Sequence, residues 1–154
     1  DENGRLYEDI VQSYIGNHLD SARVADRYLY DAYTYDSGLE RSNLRASDID
    51  EVVVFGKIPR KSIAIPTITN ESYSPDFMYM VKKTDGTKEL NIIVETKGVD
   101  APAHLRDVEK KKISCAKKFF HQLREDFPEL NVNFRDQLNN QQLRTIIDEV
   151  LREV

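Results

Sequence analysis

Asp85-Gly86 lies between two apolar runs, Phe77-Met78-Tyr79-Met80-Val81 and Leu90-Asn91-Ile92-Ile93-Val94, a pattern that predicts a β-hairpin. A turn centred on that dipeptide sets Asp76 opposite Glu95, because the two stand at equal sequence distance on either side of it. Directly opposed residues of antiparallel strands share a face, with Cβ atoms roughly 4.5–5.5 Å apart. Lys97 follows Glu95 by one strand period and joins it on that face. The return strand is almost continuously apolar, as expected for a central strand buried on both sides. Its polar end, Glu95-Thr96-Lys97-Gly98, therefore stands out.

Two carboxylates facing one another beside an apolar strand repel and lose hydration unless something neutralises them. A divalent cation does so, and Mg²⁺ characteristically takes one or two carboxylates together with water and substrate phosphate. A neighbouring lysine can orient or deprotonate an attacking water, or stabilise charge on the phosphate. Asp76, Glu95 and Lys97 as catalytic residues thus point to phosphodiester hydrolysis. On residue types alone, the competing reading is an ordinary cross-strand glutamate–lysine pair at a surface.

Elsewhere the apolar spacing predicts two helices near the N-terminus, one through Leu6, Ile10, Tyr14 and Ile15 and one through Ala22, Ala25, Leu29 and Tyr33. Asp36 or Ser37 can cap a third, short helix holding Leu39, Glu40 and Leu44 and ending near Asp48. Residues 51–55 and 62–65 read as strands around a Pro-Arg turn, and 131–134 as a further short strand. A long helix is expected over 103–123, starting near Asp100-Pro102, and a final one carries Leu143, Ile146, Ile147, Val150, Leu151 and Val154 on one stripe. The whole is one α/β domain, a central mixed sheet flanked by helices, with residues 1–35 as a helical N-terminal extension and 36–154 as the core and C-terminal helix.

The net charge of −5 argues at first against nucleic acid. It conceals a division, however: Lys plus Arg against Asp plus Glu runs 5 to 11 over residues 1–50, 14 to 9 over 51–124, and 3 to 7 over 125–154. A basic middle between acidic flanks allows a local cationic surface. Lys57, Arg60 and Lys61 on the strand turn, and Lys112 among Lys110, Lys111, Lys117 and Lys118 on the long helix, are the candidate DNA contacts; a solvated face is the competing explanation. One cysteine, Cys115, permits no internal disulfide or cysteine-based zinc site, and the three histidines show no ligand spacing. No apolar run approaches membrane-spanning length, so a cytoplasmic protein with no membrane partner is expected.

Ser74-Pro75-Asp76-Phe77, the hairpin, Val94-Glu95-Thr96-Lys97-Gly98 and the basic helix together resemble the PD-(D/E)xK nuclease superfamily, with its restriction-endonuclease-like αβββαβ core. Gly56-Lys57-Ile58-Pro59, Ile65-Pro66-Thr67, Leu105-Arg106, Glu109 and Lys112-Ile113 narrow the likeness to the C-terminal endonuclease domain of type III restriction Res subunits, over roughly residues 36–150. The resemblance implies that Asp76 and Glu95 bind Mg²⁺ (Mn²⁺ substituting), that Thr96 offers its backbone carbonyl, that Glu40 joins from the preceding helix, and that Lys97 completes the site. It further implies a double-stranded DNA substrate, a Mod methyltransferase partner, and an ATP-driven motor elsewhere in a longer subunit of which this chain is a fragment. Gln137 departs from the superfamily's glutamine–tyrosine pair, being followed four residues later by Gln141. A repair or recombination nuclease of the same superfamily, or a docking module retaining the fold without catalysis, are the alternative readings.

Overall fold

The computed structural model describes residues 11–45, 49–68, 72–83, 85–86 and 89–153. In chain order the elements are β1 (His18–Asp20), β2 (Tyr33–Tyr35), α1 (Gly38–Arg45), β3 (Val52–Lys57), β4 (Ile65–Pro66), β5 (Ser72–Tyr73), β6 (Phe77–Lys82), β7 (Glu89–Lys97), α2 (Asp107–Asp126), β8 (Val132–Leu138) and α3 (Leu143–Arg152). Four strands form the central sheet in the order β3-β6-β7-β8. β6 runs antiparallel to both β3 and β7, and β8 lies parallel to β7 after the α2 crossover. α1, β3, β6, β7, α2 and β8 thus realise the expected αβββαβ order.

The β6–β7 register pairs Phe77 with Val94 and Lys82 with Glu89, and Gly86 sits at φ 73° in the turn, where glycine carries no Cβ penalty. Alternation along the strands then builds two cores. Phe77, Tyr79, Val81, Ile92 and Val94 face one side, where Leu143, Ile147 and Val150 of α3 cover them. Ile93, Val132 and Phe134 face the other, against Ile113, Ala116 and Phe120 of α2. α2 begins at Asp107 rather than near Asp100. There Glu109 Oε2 accepts the Arg106 backbone N–H at 3.1 Å and its Nε–H at 3.2 Å, while Pro102–His104 makes a separate 3₁₀ turn.

The two expected N-terminal helices are not formed among the described residues; Leu6 and Ile10 lie outside them. Gln12–Tyr14 is a 3₁₀ turn, and β1 and β2 pair into a small antiparallel ribbon. Ala22, Ala25, Leu29 and Tyr33 keep helical spacing in the sequence, but tertiary packing overrides it. Tyr28 packs its ring, tilted, against Tyr33 and Phe55 at centroid distances of 4.9 and 5.0 Å, and residues 27–29 hydrogen-bond along the outer edge of β3. Gly56 allows that approach, since a Cβ there would fall 2.9 Å from Leu29 Cδ1. Tyr28 and Tyr33 thereby join the same buried cluster as Phe55, Phe77 and Tyr79. Asp20 ties this segment to α1, accepting from Arg41 at 2.7 Å and Arg45 at 3.1 Å, and these guanidiniums hold its carboxyl well below the ordinary range.

The expected strand over 62–65 is also corrected. Only Ile65–Pro66 is extended, and it pairs with Ser72–Tyr73 outside the main sheet, because Ser62 turns back to Pro59 and Lys61 takes a left-handed φ of 69°. No helix among the described residues is long and apolar enough to cross a membrane.

Candidate active site

Asp76 immediately precedes β6, and Glu95, Thr96 and Lys97 close β7. Continuing the observed register by one pair sets Asp76 against Glu95. Asp76 Oδ2 accepts the Thr96 amide N–H at 2.7 Å and its hydroxyl at 2.5 Å, so the carboxylate itself locks the open ends of the two strands together. Lys97 Nζ donates to Glu95 Oε1 at 2.7 Å, with both side chains buried.

The second oxygen, Glu95 Oε2, is buried with no hydrogen-bond partner. Burial and then the charge of Asp76 push the Glu95 carboxyl up to about 8; Lys97 pulls it down, and Glu40 adds to the rise. A lysine 2.7 Å away thus fails to offset a desolvated, like-charged corner. That imbalance suits a site built to receive another positive charge.

Glu40 lies in the first turn of α1, where Ser37 Oγ accepts the Glu40 N–H at 3.2 Å. Its Oε2 accepts from Asp36 N at 2.7 Å and Lys57 Nζ at 2.6 Å. Burial raises its carboxyl, Lys57 works against that rise, and the charge of Asp76 adds to it. Glu40 therefore feels the Asp76–Glu95 corner electrostatically, while Lys57 engages one of its oxygens. Among the described residues, no three histidine, cysteine, aspartate or glutamate side chains converge closely enough to ligate an ion by themselves.

The four residues expected to contact DNA fall in different places. Lys57 is not on an open turn; it is 3% exposed, bonded to Glu40, 3.6 Å from Asp36, and 5.9 Å from the Phe77 ring. As the partner of Phe77 in the β3–β6 register, it points into the fold. Arg60 is half-exposed but engaged with Asp36 at 2.9 Å and Ser13 O at 3.0 Å. Lys61 is exposed, and Lys112 is half-buried on α2.

The sequence marked Gln137 only by its departure from the superfamily pattern, and it marked Asn43 not at all. Gln137, the β8 partner of Thr96, is 1% exposed and forms a reciprocal amide pair with Asn43 of α1 at 2.6 and 3.0 Å. This pair bolts the helix bearing Glu40 to the sheet, and removing either amide would strand the other at a cost of about 1–3 kcal/mol. Gln141, in place of a tyrosine, accepts at its carbonyl from Gln137 and at its side chain from Leu138 N. Tyr73 Oη and Ser74 Oγ are buried without partners. Burial, then the charges of Glu95, Asp76 and Asp136, hold the Tyr73 phenol well above its usual range. Their position next to Pro75-Asp76 was the available clue.

A family model for an endonuclease domain matches residues 26–141. The chain belongs to this endonuclease-domain family. It is 40% identical over 149 residues to the type III restriction-modification enzyme EcoPI Res subunit of Escherichia phage P1, and equally to the EcoP15I Res subunit of Escherichia coli. Each match covers 96% of this chain and 15% of the relative. The StyLTI Res subunit of Salmonella typhimurium is 32% identical over 133 residues, 84% of this chain and 13% of that protein. The chain thus spans about 15% of the length of the relatives it most broadly matches. No solved structure matches it. The type III Res-subunit resemblance read from the motifs is upheld, and so are the restriction-endonuclease-like fold and the assignment to endonucleases.

Proposed function

We propose that this chain is a Mg²⁺-dependent nuclease domain that hydrolyses phosphodiester bonds of double-stranded DNA, within a longer Res-type subunit whose ATP-driven motor lies outside it and which works with a Mod methyltransferase. The observation that carries this reading is the partnerless, buried Glu95 Oε2 in a corner shared with Asp76, with Lys97 at 2.7 Å. The donor set fits an oxygen-preferring cation: the carboxylates of Asp76 and Glu95 and the Thr96 carbonyl would hold it, and Glu40 would add charge from α1. A bound Mg²⁺, or Mn²⁺ in its place, supplies Lewis-acid polarisation of a phosphate oxygen and acidifies water.

The chain's own groups do the rest. Asp76 holds the β6 and β7 ends in register through Thr96, fixing where Glu95 and Lys97 point. The Lys97 ammonium keeps positive charge beside the reacting phosphate, to stabilise its added charge or orient the attacking water. The Asn43–Gln137 pair fixes α1, and with it Glu40.

Asp76→Ala in the complete subunit is the test. Loss of double-strand cleavage with ATP hydrolysis retained is expected, since the motor is elsewhere. Cleavage at the unchanged rate would remove Asp76 from the mechanism.

A further inference from the structure

A cleft of about 420 Å³ opens between α2 and β8, the edge strand of the sheet, with Glu153 at the far end. α2 lines it with Lys117, His121 and Arg124, spaced so that all three share one helix face. β8 contributes Arg135 and Asp136, and the stacked rings of Phe120 and Phe134, 5.4 Å apart, form an apolar floor. Asp136 is the β8 partner of Glu95 in the parallel register, so the cleft begins one strand from the candidate active site, on the α2 side of the sheet.

Charge matching inside the cleft is uneven. Lys117 pairs with Asp136 at 2.7 Å, and Arg135 pairs with Glu153. Arg124 instead donates to the neutral side chain of Asn133 at 3.1 Å, and His121 lines the same wall. The cleft therefore carries surplus positive charge on a chain of net charge −5. From Lys117 to Arg124 the helix rises about 10 Å, the axial length over which one DNA strand presents about three phosphates.

Resting on the nuclease reading, we infer that this cleft is the track for the DNA strand flanking the scissile phosphate, with Lys117 and Arg124 meeting phosphates about three steps apart along it. Lys110, Lys111 and Lys112 lie outside it. When a phosphate arrives, Lys117 exchanges Asp136 for it, which frees a carboxylate beside Glu95.

The test is a fluorescence-anisotropy titration of a labelled DNA duplex with this chain in Ca²⁺ buffer, repeated over a salt series. Lys117→Gln/Arg124→Gln is expected to weaken binding about tenfold or more and to reduce the slope of log affinity against log salt by about 2. Both side chains are exposed, so melting should be unchanged; Lys117→Arg alone should keep the wild-type slope. Lys110→Gln/Lys111→Gln should bind within about twofold of wild type. Adding Asp136→Asn to Lys117→Gln should leave binding weak. Recovery to wild-type affinity would mean that the released carboxylate, not a lost phosphate contact, caused the defect, and would overturn the assignment. An unchanged slope in the double variant would overturn the track while leaving the nuclease reading intact. Failure of the wild-type chain to bind duplex at low salt would overturn both.

Discussion

Lys97→Ala is expected to lower DNA cleavage by about 10³-fold or more, because it removes two contributions at once. The first is the ammonium at the reacting phosphate, in the range found for single acid–base or charge-stabilising groups. The second is the state of Glu95. Lys97 is the nearest charge favouring the Glu95 carboxylate, at 2.7 Å, and opposes burial, Asp76 and Glu40, which already push that carboxyl up to about 8. Without Lys97 the carboxyl rises further, so divalent-cation binding, which needs the carboxylate, sets in only at a higher pH than in the wild type. Lys97→Arg separates the two effects. It is expected to restore divalent-cation binding through its charge while leaving cleavage impaired, since a planar guanidinium cannot replace a compact ammonium at the same place. Single-turnover cleavage and calorimetry on the same variants read the two quantities. Wild-type cleavage in Lys97→Ala would exclude the lysine from the chemistry.

Removing residues 142–154 is expected to abolish cooperative folding, although the family model ends at residue 141. α3 inserts Leu143, Ile147 and Val150 into the same core as Phe77, Tyr79, Ile92 and Val94, with Ile147 and Val150 fully buried. Burial of each such side chain contributes about 1.5–3 kcal/mol. Three of them approach the entire stability of a typical domain, about 5–15 kcal/mol. Arg144 adds a two-pronged contact to Glu51, at 3.1 Å on each nitrogen. Circular-dichroism melting decides. A sigmoidal transition within a few degrees of the full chain would show that α3 is dispensable.

The site's geometry was legible where it depended on local rules. The Asp85-Gly86 turn fixed a register that the strands keep, so Asp76, Glu95 and Lys97 meet as expected. The Ser37 cap placed Glu40 in the first turn of α1 for the same reason. What escaped depends on pairings between distant residues. Ala22, Ala25, Leu29 and Tyr33 keep a helical stripe in the sequence, and the pairing of residues 27–29 with the edge of β3 overrides it. Lys57 reads as a surface cation until the β3–β6 pairing turns it inward onto Glu40. Asn43 and Gln137 lie 94 residues apart, and no periodicity announces that their amides meet.

The most direct test of the central claim is a calorimetric titration of Mn²⁺ into the chain and into Asp76→Ala, at about pH 6 and again at about pH 8.5. Because the folded-state Glu95 carboxyl is raised to about 8, it is largely protonated at the lower pH and must lose its proton to bind a cation. The account predicts one saturable event in the wild type that tightens as pH rises and releases a proton at the lower pH, and its loss in Asp76→Ala with melting behaviour retained. Mn²⁺ binding of equal strength in Asp76→Ala, or no binding by the wild-type chain at either pH, would contradict a metal site at the β6–β7 end.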